Sequence, residues 1–299
     1  MAVNLLAIPT ETLAGGYLMR PAMPDDLEAT VAMFNASSRA LIGADEFDVE
    51  NYRSDWQAPG LNLETDIQVV AAPNGQIVGC IEVWDLAEPH VRVNVWGRVH
   101  PEHQRRGIGS ALVQWAEERA RQAIPKAPNG TRVFMTTGVI SADSAAHDLF
   151  SKAGFSLIRH SWRMRIDMDT PPPVPEWPDG IAVRTLIVGQ DERATVQAVR
   201  DSFRDHWGYV ERPFEDDLNL WTHFMNNDKD FDPSLWFLAM DGEEIAGVSL
   251  CWPKIPEDPD MGWVGTLGVL RPWRRKGLGL ALLRHSFGEF YRRSKRKVG

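Results

Sequence analysis

The stretch Val99-His-Pro-Glu-His-Gln-Arg-Arg-Gly107-Ile-Gly109 has a close copy at Val269-Leu-Arg-Pro-Trp-Arg-Arg-Lys-Gly277-Leu-Gly279. Each residue of the copy lies 170 positions after its counterpart. A strand-like run at residues 94–99 leads into the first copy, and an amphipathic helical pattern follows it. Two such segments at one spacing indicate a tandem duplication of one α/β unit.

Other features recur in the same order on both sides of the chain. A strand pattern ending at Arg20 precedes a helical pattern from Leu27, and a strand pattern around Arg184 precedes another helix. Each half then has a hairpin signal, with turns at Asn74-Gly75 and Asp241-Gly242. The shared order predicts an α/β fold for both units.

A proline-rich segment at residues 169–180 separates the halves. Its five prolines forbid a helix and favour an extended, semi-rigid spacer. We therefore expect a domain at residues 1–170, a linker at 171–179 and a second domain at 180–299.

The charge balance argues against two classes of partner. The 32 basic and 41 acidic residues give a net charge of −9, which disfavours general nucleic-acid or anionic-membrane binding. The basic segment at residues 292–297 is an alternative nucleic-acid patch, but it also suits the solvated end of a helix.

The cysteine content and the hydrophobic pattern also indicate the cellular compartment. The two cysteines, Cys80 and Cys251, form no disulfide framework or zinc cluster and fit a reducing environment. The first 20 residues lack the pattern of a signal peptide, and no apolar run has the roughly 20 residues of a membrane span. We expect a soluble, cytoplasmic protein.

The first glycine loop has the features of a phosphate cradle. Gly107 and Gly109 allow a ligand to approach the backbone, and the N-terminus of the following helix favours an anion. Arg105 and Arg106 add positive charge. A plain strand-to-helix turn with a solvated arginine rim is the alternative. The loop is neither a P-loop nor a dinucleotide fingerprint, because the residues that define those motifs are missing.

These residues carry a resemblance to a known family. The Gln/Arg-x-x-Gly-x-Gly loop after a strand, with Val-x-Pro ahead of it, resembles the acetyl-CoA motif of the GCN5-related N-acetyltransferases (GNAT). Residues 131–137 resemble the family's next strand, and residues 143–155 resemble its following helical motif. The resemblance implies that each unit is a mixed sheet flanked by helices. The resemblance implies that acetyl-CoA is bound by Val99, Gln104, Arg105, Arg106, Gly107, Ile108, Gly109, Ser110, Asp143 and Phe150.

Three departures from the family pattern stand out. Phe150 replaces a tyrosine that can protonate the departing thiolate, and Asp143 replaces an asparagine. The positions matching residues 131–155 would fall at 301–325, so we expect the second unit to lack its final strands. The second cofactor loop, which we expect to bind poorly for that reason, comprises Val269, Arg274, Arg275, Lys276, Gly277, Leu278 and Gly279.

Acetyl transfer to an amine needs a group that takes a proton from it. The candidate bases are Glu82, Asp85 and His100, although alternation along its strand also allows Glu82 to be a solvent-facing residue. The resemblance points to the Val99 amide as the oxyanion donor. His100 and His103 have no third ligand in the pattern, so we expect no metal site.

The acceptor side of the family fold corresponds to residues 35–59. Their acidic charge suits a cationic amine, although a solvated acidic helix is equally consistent with the pattern. The favoured function is acetyl-CoA-dependent N-acetylation of a small-molecule amine. The rival is a non-catalytic acyl-CoA-binding or scaffold protein with a degenerate second unit. A homodimer is an open alternative for its assembly.

Overall fold

A computed structural model describes residues 11–299, so the first half of the stretch inspected for a signal peptide lies outside the described residues. The chain divides into two compact units, one ending at Arg159 and one running from His160 to Gly299. We call them the first and the second unit. The domain limits placed at 170 and 180 stay a prediction.

The described part of the first unit contains strands and helices in the repeated order predicted above. In chain order they are β1 (Glu11–Leu13), β2 (Tyr17–Pro21), α1 (Leu27–Ile42), α2 (Val49–Trp56), α3 (Leu63–Asp66), β3 (Ile67–Ala71), β4 (Ile77–Trp84), β5 (Arg92–Val99), α4 (Ile108–Arg121), β6 (Phe134–Thr136) and α5 (Ser144–Lys152).

The strands of the first unit form one sheet in the order β1-β2-β3-β4-β5-β6. Neighbouring strands are antiparallel except β5 and β6, which are parallel. The predicted turn at Asn74-Gly75 joins β3 to β4, with Gly75 at φ 86° and the Ala72 N–H donating to the Gln76 carbonyl at 2.8 Å. The sheet is mixed, as predicted.

Helices cover both faces of this sheet, which therefore has two apolar cores. On one face α1 and α2 bury Phe34, Tyr52 and Trp56 against Ile67 and other residues of the sheet. On the other face α4 packs through Ile108, Leu112, Val113, Trp115 and Ala116. Because both faces are buried, β4 is almost entirely buried along its length.

The second unit repeats this arrangement with its own elements. They are β7 (Ile166–Asp167), β8 (Ile181–Thr185), α6 (Glu192–Phe203), α7 (Phe214–Asn227), β9 (Trp236–Asp241), β10 (Glu244–Trp252), β11 (Met261–Val269), α8 (Leu278–Arg292) and β12 (Lys297–Val298). The sheet order is β7-β12-β11-β10-β9-β8, and the predicted Asp241-Gly242 turn joins β9 to β10.

Matching ion pairs mark equivalent positions in the two units. The Arg20 guanidinium donates to both oxygens of Asp26 at 2.6 and 2.7 Å, and Arg184 does the same to Asp191 at 2.5 and 2.9 Å. Asp26 and Asp191 each directly precede the first long helix of their unit. The pairs lower the pKa of both carboxyl groups, although burial opposes this most strongly at Asp26.

The end of the second sheet contains two strands of two residues each. Strand β12 follows α8 and lies parallel to β11, as β6 lies parallel to β5. Strand β7 pairs with β12 in the antiparallel sense. Such short strands leave no readable periodicity, which explains why the sequence pattern indicated nothing after α8.

None of the helices among residues 11–299 is long and apolar enough to cross a membrane.

Candidate active site

Strand β5 has an open edge next to the glycine loop. Among the described residues, β6 pairs only with Arg92, Val93 and Asn94 of β5, so the rest of that edge is left uncovered by β6. The His100 N–H donates to the Val78 carbonyl of β4 at 2.8 Å. Because backbone groups along a strand alternate in direction, Val99 and Gly97 turn their N–H and C=O groups to the open edge.

The glycine loop leads from this edge into helix α4. Gly107 is the N-cap of α4 at φ 83°, and Arg105 also has a positive φ of 58°. The space beside the Gly107 Cα is open, so a ligand can approach its backbone. Unpaired N–H groups at a helix N-terminus favour an anion, and this geometry therefore suits a phosphate.

A cavity of about 240 Å³ joins the loop to the open edge of β5 and to helix α5. Its lining combines the predicted cofactor residues with groups from α1, β4 and α5. The lining residues are Ser37, Cys80, Ile81, Gly97, Arg98, Val99, Gln104, Arg105, Gly107, Gly109, Ser110, Leu112, Val113, Asp143, Ala145, Ala146, Asp148, Leu149, Phe150 and Lys152.

Eight of the ten predicted cofactor residues line this cavity, and Arg106 and Ile108 do not. Arg106 instead donates to the Tyr17 hydroxyl at 2.7 Å and to the Glu102 carbonyl at 3.1 Å. The Ile108 side chain is buried and faces Gly79. Only Arg105 of the two loop arginines therefore faces the cavity.

Helix α5 forms the other wall, opposite β5. The Asp143 carboxylate accepts the Ala146 N–H at 2.9 Å, so this residue is the N-cap of α5. Phe150 lines the cavity and its ring packs edge-on against Phe155, with centroids 5.1 Å apart. The basic side chain of Lys152, which the sequence patterns did not single out, also lines the cavity.

Gly97 and Arg98 are further cavity residues that sequence reasoning missed. A Cβ on Gly97 would stand 2.8 Å from the Ile81 Cα and closer still to the Cys80 carbonyl oxygen, so only glycine fits between β4 and β5 here. A glycine inside a strand pattern was the available signal. Arg98 gave no signal of its own, because an arginine on a strand is usually a solvated residue.

Glu82 is enclosed on the α1–α2 face of the sheet. Only 2% of the residue is exposed, so the solvent-facing alternative is wrong. Its carboxylate accepts from the Tyr52 hydroxyl, from the Trp56 Nε1 at 2.9 Å and from the Trp84 Nε1 at 2.9 Å. Burial raises the pKa of Glu82 against the opposing effect of these three donors. Glu82 is not among the lining residues of the cavity.

The other two base candidates lie outside this cavity as well. Asp85 bonds the His90 Nδ1 at 2.7 Å and the Lys126 ammonium at 3.2 Å, so its carboxylate is part of an ion cluster. The His100 Nδ1 accepts the Glu102 N–H at 3.3 Å. No group of three or more His, Cys, Asp or Glu side chains suited to a metal ion occurs among residues 11–299.

Comparison with known proteins matches each unit separately. Residues 64–157 match the profile described as an acetyltransferase (GNAT) domain, and residues 196–297 match the acetyltransferase (GNAT) family. A relative named mycothiol acetyltransferase from Saccharopolyspora erythraea is 30% identical over 73% of this chain and 71% of its own. The chain belongs to the GNAT acetyltransferase family.

Further relatives agree with this membership. A mycothiol acetyltransferase of Streptomyces coelicolor is 30% identical over 72% of this chain and 65% of its own length, and one of Streptomyces scabiei is matched over 56% of its length. The chain thus spans between about half and three quarters of these curated relatives. A GCN5-related N-acetyltransferase structure from Sphaerobacter thermophilus is 34% identical, with a TM-score of 0.74, over 96% of this chain and 86% of its own.

A tandem GNAT protein from the clavulanic acid biosynthesis pathway shares the fold of both units. Its TM-score is 0.63 at 19% identity, over 94% of this chain and 88% of its own. The expected family membership and the two tandem acetyltransferase units are therefore confirmed.

The second acetyltransferase unit has the same loop backbone as the first. Gly277 is the N-cap of α8 at φ 87°, and Arg275 has a φ of 65°. Gly277 has open space beside its Cα, and Leu278 is buried like Ile108. The backbone requirement of the phosphate cradle is thus met in both units.

In the second unit, the edge of β11 that corresponds to the open edge of β5 is occupied by the side chain of Arg274. The Arg274 Nε donates to the Val269 carbonyl at 2.9 Å, and its terminal nitrogens bond the Ser202 carbonyl and both oxygens of Asp205. Arg274 lowers the pKa of Asp205 to about 2. The strand register also places Leu267 opposite Ser249, at the position of Gly97 opposite Ile81.

The second unit also lacks the enclosed carboxylate. Because Gly79 pairs with Val99 and Gly247 pairs with Val269, Leu250 stands at the position of Glu82. Leu250 is fully buried in an apolar core with Trp236 and Val248. The two acetyltransferase units therefore share a fold and a loop, but only the first combines an open strand edge with a buried carboxylate.

Proposed function

We propose that the first unit transfers an acetyl group from acetyl-CoA to the amine of a small molecule. The observation that carries this proposal is the single cavity joining the glycine loop to the open edge of β5. The loop suits the phosphates, and the strand edge offers backbone groups to an extended, amide-containing arm. Gly97, on the same edge of β5, also lines the cavity, and in this proposal the thioester lies beside it.

The chemistry follows from this placement. The amine nitrogen attacks the thioester carbonyl carbon, a C–N bond forms, and the C–S bond breaks as the thiolate leaves. In this proposal the Val99 N–H, which is directed to the open edge, stabilises the oxyanion of the tetrahedral intermediate. The thiol has a pKa of about 8–9, so it can leave with modest help from an acid. The absence of a hydroxyl at Phe150 is compatible with that.

Glu82 is the favoured base among the three candidates. It lies on β4 directly opposite Trp96 of β5, on the face covered by α1 and α2. Burial raises its pKa toward the range in which a carboxylate can accept a proton from an amine near neutral pH. In this proposal the amine proton reaches Glu82 through the Tyr52 hydroxyl, which donates to it.

Two measurements test the proposal. Calorimetry with acetyl-CoA should show binding that Gly107→Glu abolishes, because the added carboxylate meets the phosphates. Gly277→Glu, the same change in the second loop, is the matched control and should leave that binding intact. Thiol release should then appear with at least one amine of a panel such as glucosamine, cysteamine, spermidine and lysine. Absence of acetyl-CoA binding, or equal loss in both variants, would contradict the proposal.

The second candidate function is a non-catalytic acyl-CoA-binding protein. Two observations favour it: Phe150 has no proton to give, and Glu82 lies outside the cavity lining. Binding of acetyl-CoA without thiol release across the whole panel would support this candidate.

A further inference from the structure

Arg98 lines the cavity and links strand β5 to the α1–α2 layer. One terminal nitrogen donates to the Ser38 hydroxyl at 2.9 Å, and the other donates to the Glu46 carboxylate at 2.7 Å. Only 11% of the Arg98 side chain and 15% of the Glu46 side chain are exposed. A pair so shielded from solvent holds its geometry better than a surface ion pair.

Glu46 belongs to the segment between α1 and α2, residues 43–48, which we call the acceptor loop. Asn35 of α1 closes this loop, because its side-chain oxygen accepts the N–H groups of Glu46 and Phe47 at 3.1 and 3.0 Å. Its side-chain nitrogen donates to the Phe47 carbonyl at 2.9 Å. The loop is therefore tied to α1 at one side and to Arg98 at the other.

Aromatic rings complete the contact between the loop and β5. The Phe47 ring lies 5.2 Å from the Trp96 ring and 5.3 Å from the Phe34 ring. The Arg98 guanidinium lies over both Phe47 and Trp96, at 5.6 and 5.4 Å from the ring centroids. Cation–π attraction thus adds to the ion pair that orients Arg98.

In the second unit a glycine stands at the position of Arg98, and the helix lies directly against the strand. The strand register puts Gly268 at the position of Arg98, and Ser202 follows Asp191 by the same number of residues as Ser37 follows Asp26. A Cβ on Gly268 would stand 2.8 Å from the Ser202 Cβ, so α6 packs directly on β11. In the first unit, Ser37 lines the cavity instead.

We propose that Arg98 is a positioning residue that keeps the α1 end and the acceptor loop off strand β5, and thereby forms the cleft that admits the acceptor amine. The inference rests on the proposed function of the first unit, since it concerns the acceptor side of that site. The guanidinium is neutralised by Glu46 and flanked by aromatic rings. The cleft therefore has no uncompensated positive charge at Arg98 to repel a protonated amine.

The experiment compares Arg98→Gln with Arg53→Gln in the full chain. Arg53 is the matched control, because it also joins two elements of this layer through an ion pair, to Glu28 at 2.7 Å, but is exposed. Hydrogen exchange at the amides of Glu46 and Phe47 reports the position of the loop without any substrate. Calorimetry gives the Kd for acetyl-CoA, and kinetics with the panel amine that is turned over give KM and kcat.

We expect Arg98→Gln to speed exchange at both amides by roughly tenfold and to raise the acceptor KM by roughly tenfold, the effect of losing one strong polar contact. The Kd for acetyl-CoA should change less than about threefold. Glu46→Gln should reproduce these shifts more weakly, and Arg53→Gln should produce none of them.

Unchanged exchange in Arg98→Gln would overturn the inference, as would a rise in the Kd for acetyl-CoA as large as the rise in the acceptor KM. If no amine is turned over, the proposed function fails on its own. Exchange at the two amides still decides whether Arg98 holds the acceptor loop.

Discussion

The Nε of Arg274 donates to the carbonyl oxygen of Val269 at 2.9 Å, at one edge of β11. The equivalent edge of β5 in the first unit, at Val99, is open and lines the cavity. The same guanidinium is held by Asp205 and by the Ser202 carbonyl. An extended ligand arm would need the Val269 carbonyl that Arg274 already uses. The Val269 carbonyl at this strand edge is therefore already hydrogen-bonded within the second acetyltransferase unit.

This contact predicts one acetyl-CoA per chain. The phosphate cradle of the second unit keeps its backbone geometry, but Arg274 and Leu267 take the space and the hydrogen bonds that an arm would use. We expect calorimetry of the unaltered chain to give a stoichiometry near one. The double variant Leu267→Gly and Arg274→Gln should add a second, weaker site. Two sites of similar affinity in the unaltered chain would contradict this account.

Gly97→Ala should damage both folding and binding. The added methyl group meets the backbone of β4, so the two strands must move apart, and overpacking of this kind costs about 1–3 kcal/mol of unfolding free energy. The shift also displaces the open edge of β5, which should weaken acetyl-CoA binding. Urea unfolding and calorimetry measure the two effects.

Gly288→Ala is the control for that substitution. Gly288 lies within α8 and has open space beside its Cα, so the change should stabilise the chain by about 0.5–1 kcal/mol through helix propensity. If Gly97→Ala were as stable as this control, the close approach of β4 and β5 would not constrain the site.

Glu82→Gln should change the pH dependence of stability. Burial raises the pKa of Glu82 above its usual 4.5, so the folded chain keeps a proton that the unfolded chain releases. The contribution of Glu82 to the free energy of unfolding therefore falls as the pH rises from about 4.5 through the raised pKa. Above that value it is constant.

The measurement is urea unfolding of both proteins between about pH 4 and pH 8. The unfolding free energy of the unaltered chain, minus that of Glu82→Gln, should decrease over the lower part of this range. The carboxyl groups with lowered pKa, such as Asp26 and Asp191, are present in both proteins and cancel in the difference. Parallel curves would mean that Glu82 titrates as it does in the unfolded chain.

Phe150→Tyr should raise the rate of acetyl transfer. The ring lines the cavity, so a hydroxyl there could protonate the departing thiolate, an effect worth up to about tenfold in kcat when the leaving group is already a good one. The Kd for acetyl-CoA should stay the same. Phe155→Tyr puts the same hydroxyl on the neighbouring ring outside the cavity lining and should leave kcat unchanged. Equal rates in all three proteins would show that a hydroxyl at position 150 does not assist departure of the thiolate.

The repeated hairpin turns and helix starts could be predicted from the sequence because each is specified by residues adjacent in the chain. Asn74-Gly75 and Asp241-Gly242 impose hairpin turns, and Gly107 and Gly277 supply the positive φ that starts a helix after a strand. Such turns were predicted in both units.

The burial and the partners of individual side chains could not be predicted in this way. Alternation allowed Glu82 to face solvent, but a sheet covered by helices on both faces buries both sets of side chains. The roles of Arg98 and Arg274 depend on Glu46 and Asp205, which lie 52 and 69 positions away in the chain. No local pattern contains such a pair.

Arg105 and Arg275 share a positive φ, of 58° and 65°. Both loops hold a non-glycine residue in a left-handed conformation, whether the neighbouring strand edge is open or is filled by an arginine. The loop therefore has the same backbone conformation beside both kinds of strand edge. The glycine motif thus predicts how the helix begins in both units, and the two units differ in whether the neighbouring strand edge is open or bonded to an arginine.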